Sequence, residues 1–210
     1  DGGENFTAHT VTTSANGASS VYAIDVDGDG DIDLLSASPS DNKIAWYENN
    51  GSEIFTAHTV STQAYGASSV YAFDMDNDGD IDFLAAFESY DTITWYENDG
   101  NENFTSYVVT TAVNNPKSVY ALDVDDDGDI DLLSASANDD KIAWYQNDGS
   151  ENFTVHTITT TANGASSVYA IDVDSDGDVD FLSASSYDDK IAWYENDGSE
   201  VFVAHTITLS

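Results

Sequence analysis

Nine residues, Asp25-Val-Asp27-Gly-Asp29-Gly30-Asp31-Ile-Asp33, return three more times at an interval of 49 residues, with the leading aspartate at Asp74, Asp123 and Asp172. All four copies read D-x-D-x-D-G-x-x-D, and the glycine falls at Gly30, Gly79, Gly128 and Gly177. A fixed period of this length means stacked copies of one supersecondary unit, because a unit so small cannot bury its apolar face alone. Alternate residues of a tightly curled loop aim their carboxylates at one point, and a glycine at the sixth position permits the sharp turn. A hard cation such as Ca2+, which takes about six to eight oxygens, suits that geometry. The reading therefore assigns one calcium per repeat, four in total. In the first copy Asp25, Asp27 and Asp29 bind by side chain, Asp31 by its backbone carbonyl, and Asp33 as the closing carboxylate. The same roles fall to Asp74, Asp76, Asp78, Asp80 and Asp82, to Asp123, Asp125, Asp127, Asp129 and Asp131, and to Asp172, Asp174, Asp176, Asp178 and Asp180.

A helix-loop-helix calcium site begins the same way but ends on a bidentate glutamate at its twelfth position. Here those positions are Ser36, Ala85, Ser134 and Ser183. The flanks, such as Val-Tyr-Ala-Ile before the loop and Ile-Asp-Leu-Leu after it, are short runs rich in β-branched and aromatic residues. The loop thus joins two strands.

The 210 residues include 40 acidic side chains against four basic ones, the lysines 43, 117, 141 and 190. Four divalent ions would neutralise only eight of the 36 net negative charges, so metal binding explains part of the acidity. Clustered carboxylates repel one another without a cation, which predicts a metal-dependent fold. With no arginine, phosphate-backbone contacts are lacking, which argues against nucleic acid as a partner and against an anionic membrane surface. No apolar run is long enough to cross a bilayer as a helix, so membrane insertion is not expected. There is no cysteine, hence no disulfide framework or thiol chemistry.

Each unit reads as four strands, in the first copy at about 20–25, 32–38, 43–48 and 54–61. The second and third are almost continuously apolar, so both faces of each small sheet must be covered; the fourth is threonine-rich, as an outermost strand should be. Four-stranded units stacked face to face are β-propeller blades. The all-β reading places a partial repeat, one extra outer strand, at 1–14, then blades at 15–63, 64–112, 113–161 and 162–210, together one propeller or propeller segment. Trp46, Trp95, Trp144 and Trp193, and Tyr22, Tyr71, Tyr120 and Tyr169, are assigned to packing between blades. So are the strand-four histidines His9, His58, His156 and His205, whose place Tyr107 takes in the second blade and which lie too far apart to share one zinc.

The repeated D-x-D-x-D-G-x-x-D followed by Ile-Asp-Leu-Leu resembles the FG-GAP/VCBS repeats, found in integrin α propellers and many secreted bacterial proteins. The likeness covers essentially the whole chain. It is nearer the bacterial VCBS form, because the Phe-Gly and Gly-Ala-Pro signatures of the integrin version are absent. The resemblance implies a calcium-bearing propeller, usually seven-bladed, that acts outside the cell in adhesion or glycan binding, or as an accessory to secreted enzymes. The export signal would then lie outside these residues.

Four full units and one extra strand make 17. The surplus leaves three readings: a section of a larger propeller, a strand that belongs to a neighbouring blade or molecule and so drives self-assembly, or a closed four-bladed ring. The loops between strands two and three and between strands four and one differ among copies and share the face opposite the calcium loops. Their aromatics, Tyr65, Phe87, Tyr90 and Tyr187, are candidate ligand-binding residues for a glycan or a cell-surface protein. No nucleophile elbow, Cys/His pair or phosphate-cradling loop is present, so no catalysis is expected. Asn5, Asn50, Asn103 and Asn152 lie in glycosylation sequons, read here as turn residues. The leading function is adhesion or ligand binding outside the cell. A fibre or sheath subunit built by blade-to-blade contacts is the alternative, and an accessory module of a secreted polysaccharide-degrading enzyme is a third.

Overall fold

The computed structural model describes residue 3 and residues 6–207. Sixteen strands form four antiparallel four-stranded sheets in tandem. The first holds β1 (Ser20–Ile24), β2 (Asp33–Ser38), β3 (Lys43–Asn49) and β4 (Phe55–Ser61); the second β5 (Ala67–Phe73), β6 (Asp82–Phe87), β7 (Thr92–Asn98) and β8 (Phe104–Thr110). The third holds β9 (Pro116–Leu122), β10 (Asp131–Ser136), β11 (Lys141–Asn147) and β12 (Phe153–Thr159); the fourth β13 (Ala165–Ile171), β14 (Asp180–Ser185), β15 (Lys190–Asn196) and β16 (Phe202–Ile207). Within every sheet the strands lie in sequence order, so each is a meander closed by short local turns. The expected strands agree with these bounds to within a residue or two at each end.

The burial pattern explains why the sheets stack. β6 and β10 are buried at every residue, whereas β4, β8 and β12 are mostly half-exposed or exposed, as an outer edge requires. Each junction is one apolar cluster made from two blades. Leu35, Ala37, Ile44 and Trp46 of the first blade meet Val70, Ala72, Phe83 and Tyr96 of the second. The same positions form the second and third junctions, centred on Trp95 and Trp144. Along the inner edge Tyr22, Tyr71, Tyr120 and Tyr169 form a ladder with ring centroids 4.4, 4.8 and 4.7 Å apart. Blade-related positions are therefore in contact at the inner strand, in contrast to the wide separation expected on strand four. Burial, with the flanking tyrosines, holds the Tyr71 phenol above its ordinary pKa.

Among the described residues the four blades do not close into a ring. Val21 is 68 % exposed where Val70, Val119 and Val168 are each 4 % exposed, and Ile191 is 48 % exposed where Ile44, Ile93 and Ile142 are fully covered. The leading face of the first blade and the trailing face of the fourth thus lack the neighbour that every internal face has. The extra outer strand also differs from expectation, because residues 6–12 adopt no strand pairing. Ala8, His9, Thr10 and Val11 instead line a cavity with Glu53 and Phe55, as Val155, His156, Thr157 and Ile158 do with Glu200 and Phe202 one junction before the end. The segment occupies the place of a preceding blade's fourth strand. With no third strand beside it, its backbone has no ladder partner, and strand propensity alone does not make a strand.

Candidate metal sites and the opposite face

The aspartate loops connect the inner two strands of each blade, and backbone hydrogen bonds curl them. In the first copy Gly28 N and Gly30 N donate to the Asp25 carboxylate at 2.9 and 3.0 Å, Asp29 N donates to Asp27 at 3.2 Å, and Asp31 N donates to Asp29 at 2.9 Å. The sixth-position glycines have φ from 94° to 104°, a region closed to side-chain-bearing residues without strain. The curl gathers Asp25, Asp27 and Asp29 so that one oxygen of each lies within 4.8 Å of the others. Asp74, Asp76 and Asp78 form the second such group, Asp123, Asp125 and Asp127 the third, and Asp172, Asp174 and Asp180 the fourth.

These groups are able to hold a metal ion. The donors are all carboxylate oxygens, the set a hard cation prefers. In the third copy one oxygen each of Asp123 and Asp125 is buried and has no hydrogen-bond partner, a costly state that a cation at the centre would relieve. Burial, and then repulsion from Asp78, holds Asp76 above the usual carboxylate range, and burial pushes up Asp27 and Asp123 in the same way. A cation among them would act in the opposite direction.

The ninth-position aspartates do more than the sequence suggested. Asp33 is fully buried; one oxygen accepts from Val26 N at 2.9 Å and the other from Asn49 N at 2.7 Å. Asp82, Asp131 and Asp180 accept the same pair of backbone donors in their own blades. Each of these carboxylates ties the metal loop to the end of the third strand, and in the fourth copy Asp180 also belongs to the metal-sized group. Burial pushes Asp82 up to about 7 and Asp131 up to about 6. The seventh-position aspartates have a further contact. The Asp31 carboxylate lies 2.5 Å from where a Cβ on Gly51 would stand, and Asp80, Asp129 and Asp178 press on Gly100, Gly149 and Gly198 in the same way. The turns between strands three and four therefore share a face with the metal loops, as expected, and need glycine there both for space and for positive φ.

Residues that sequence reading passed over complete this arrangement. Asn98 Nδ2 donates to Ile81 O, and its Oδ1 accepts from Gly100 N and Glu102 N; Asn147 repeats the first two of these bonds, as does Asn196. Their recurrence 16 residues after the ninth-position aspartates was the available signal. Asn50, Asn103 and Asn152 are exposed at the same turns, and the Nδ2 atoms of Asn103 and Asn152 donate to Asp99 and Asp148. Asn5 lies outside the described residues. Three of the strand-four histidines pack as expected: His58, His156 and His205 stack on Trp46, Trp144 and Trp193, and their Nε2 atoms donate to Glu48, Gln146 and Glu195, whereas His9 is exposed and lies in no strand.

On the opposite face the two sets of varied loops bond directly to each other, through Ala64 N to Asn42 O, Glu88 N to Gly66 O and Tyr187 N to Asn163 O. Tyr65 and Tyr90 meet edge to face at 5.5 Å, and Tyr187, 70 % exposed, covers Gly164. Phe87 differs from these three, being 3 % exposed in the junction between the first and second blades.

The fold and its aspartate loops define a class, that of propeller-like repeats whose carboxylate loops are able to hold a metal ion, and comparison with known proteins gives the family. The FG-GAP-like repeat matches at residues 25–85, 74–134 and 123–183, and the chain belongs to that family. No curated protein matches the chain. Among solved structures, an Agrocybe aegerita lectin described by its specific recognition of non-reducing terminal N-acetylglucosamine superposes with a TM-score of 0.61 at 17% identity, covering 88% of this chain and 50% of the lectin. A catalytically inactive virginiamycin B lyase from Staphylococcus aureus gives 0.61 at 13% identity, with 93% and 57% covered. The V. cholerae biofilm matrix protein Bap1 gives 0.56 at 18% identity, with 87% and 27% covered. At such identities the likeness is one of fold, and the chain spans about half or less of the first and third of these proteins.

Proposed function

We propose that the chain is a calcium-stabilised, non-catalytic propeller array that works outside the cell in adhesion, binding glycan or a surface protein. The observation that carries this reading is the separation of its two faces. One face repeats the same aspartate loop four times, and the other gathers the differences among copies, including exposed Tyr65, Tyr90 and Tyr187. A rigid scaffold with one varied face is the arrangement that binding surfaces use. Millimolar calcium outside cells would fill even weak sites of this kind. The lectin and the biofilm matrix protein among the structural neighbours are consistent with this reading. The test is a glycan array and a cell-binding assay with the calcium-loaded chain. Binding is expected, and combined replacement of Tyr65, Tyr90 and Tyr187 by alanine should weaken it at least tenfold. Unchanged binding by that variant would remove the reading.

The open end faces favour a second reading, a subunit that assembles blade to blade. Val21 at one end and Ile191 at the other are the counterparts of residues that are buried against each other at internal junctions. Light scattering and negative-stain imaging in millimolar calcium would then give particles larger than one chain that fall apart on chelation. A single monodisperse chain at every concentration rejects assembly.

A further inference from the structure

The first, third and fourth blades agree at ten positions where the second blade differs, and five of the second blade's residues there, Phe87, Tyr90, Thr92, Thr94 and Val108, line one cleft. Strand three opens with Lys43, Lys141 and Lys190 in the first, third and fourth blades but with Thr92 in the second. Each of those lysines donates across the junction to the end of the preceding outer strand or segment, to Ser14 O, Ala112 O and Thr161 O respectively. Each is also ion-paired with the aspartate two residues before it, Asp41, Asp139 or Asp188, at 3.0 to 3.3 Å. In the second blade that aspartate is Tyr90, so both halves of the strap are gone. Ser38, Ser136 and Ser185 correspond to Phe87; Ala45, Ala143 and Ala192 to Thr94; Asn16, Asn114 and Asn163 to Tyr65.

Where the strap is missing, a cleft of about 720 Å³ lies between the first and second blades, lined by Gln63, Phe87, Tyr90, Thr92, Thr94 and Tyr96 among others. A further difference enlarges its hydrogen-bonding capacity. Ser36, Ser134 and Ser183 bond to the hydroxyls of Tyr47, Tyr145 and Tyr194 within their own blades, but Ala85 stands there in the second. The Tyr96 hydroxyl therefore lacks the serine partner within its own blade that its counterparts have, and Tyr96 lines the cleft. Tyr65 braces Tyr90 from outside. None of the lining residues carries a charge, on a chain with a net charge of −36. The volume falls within the usual range for small-ligand sites, roughly 300–1,000 Å³.

Resting on the glycan-binding reading above, we propose that this cleft is a binding site for the terminal unit of a neutral saccharide. Aromatic rings offer flat apolar surface to the C–H face of a pyranose, and the surrounding hydroxyls and the Gln63 amide offer both donors and acceptors. A charged sugar would enter a strongly negative field with no cation to pair it.

The test is saturation-transfer NMR and calorimetry of the calcium-loaded chain with glucose, galactose, mannose and N-acetylglucosamine and their neutral oligosaccharides. The key variant restores the strap by Tyr90→Asp with Thr92→Lys, which gives the second blade the residues the other three already carry. It should fold as well as the parent and lose saccharide binding at least tenfold, while Val203→Thr, exposed on the outer strand of the fourth blade, binds as before. Retained binding by the strap variant overturns the cleft while leaving a glycan-binding protein in place. Failure of the parent chain to bind any neutral saccharide overturns the cleft together with the neutral-glycan half of the reading above, whose surface-protein half the cell-binding assay decides. Competition of cell binding by the free oligosaccharide distinguishes a cell-surface glycan from a soluble one.

Discussion

Chelation of divalent cations is expected to lower the thermal midpoint of this chain by tens of degrees. Four aspartate groups each bring at least three carboxylates within 4.8 Å, and two oxygens of the third group are buried without partners. An ion bound only by the folded state at 100 times its Kd stabilises by about 2.7 kcal/mol per site, or roughly 11 kcal/mol over four sites. At about 2–4 °C per kcal/mol for a chain of this size, the shift is ~20–40 °C. Differential scanning calorimetry in calcium and in EDTA measures it directly. Magnesium should recover little of the loss, since it demands a smaller octahedral shell and gives up water reluctantly. Asp123→Asn with Asp125→Asn should remove about a quarter of the calcium effect. A midpoint indifferent to EDTA would mean that the loops hold their shape without an ion.

The second large effect is a contrast between two equivalent tryptophans. Trp144 is fully buried between the third and fourth blades, in a cluster with Leu133, Val168 and Phe181, and stacks on His156. Trp144→Ala removes the largest side chain of that junction and leaves a cavity, at a cost of about 3–5 kcal/mol. Trp193 makes the same stack on His205 but faces the open end, so Trp193→Ala should cost less than half as much. Urea unfolding in saturating calcium, at low protein concentration, resolves the pair. Equal losses would indicate that the last face is covered in solution, which bears on the assembly reading.

Period, strand bounds, outer-strand character and the sharing of one face by the aspartate loops and glycine turns were all legible in the sequence. Each depends on a local pattern: alternate aspartates around a glycine, apolar runs, turn dipeptides. What depended on contacts across the chain was less visible. The motif marked Asp33 as a ligand, and only the structure places it between Val26 N and Asn49 N. Residues 6–12 carry the outer-strand pattern, yet the partner strand that would make them a strand is missing beside them. The substitution of threonine for lysine at position 92 could be seen by aligning the copies. Its meaning required the geometry of Lys43, Lys141 and Lys190 reaching over to the preceding outer strand or segment.

Apart from the open end faces, every blade contact is with an adjacent blade, and that determines how the chain would come apart. The inner blades are clamped on two sides, and the outer two on one. In such a linear stack the ends fray before the middle, because an end unit gives up one interface where a middle unit gives up two. Falling calcium would therefore be answered in steps, outermost blade first, as a dimmer responds and not as a latch. The cleft between the first and second blades has one wall on an end blade. Its occupancy would fade early in that sequence, while the junction of the two inner blades around Trp95 still stood.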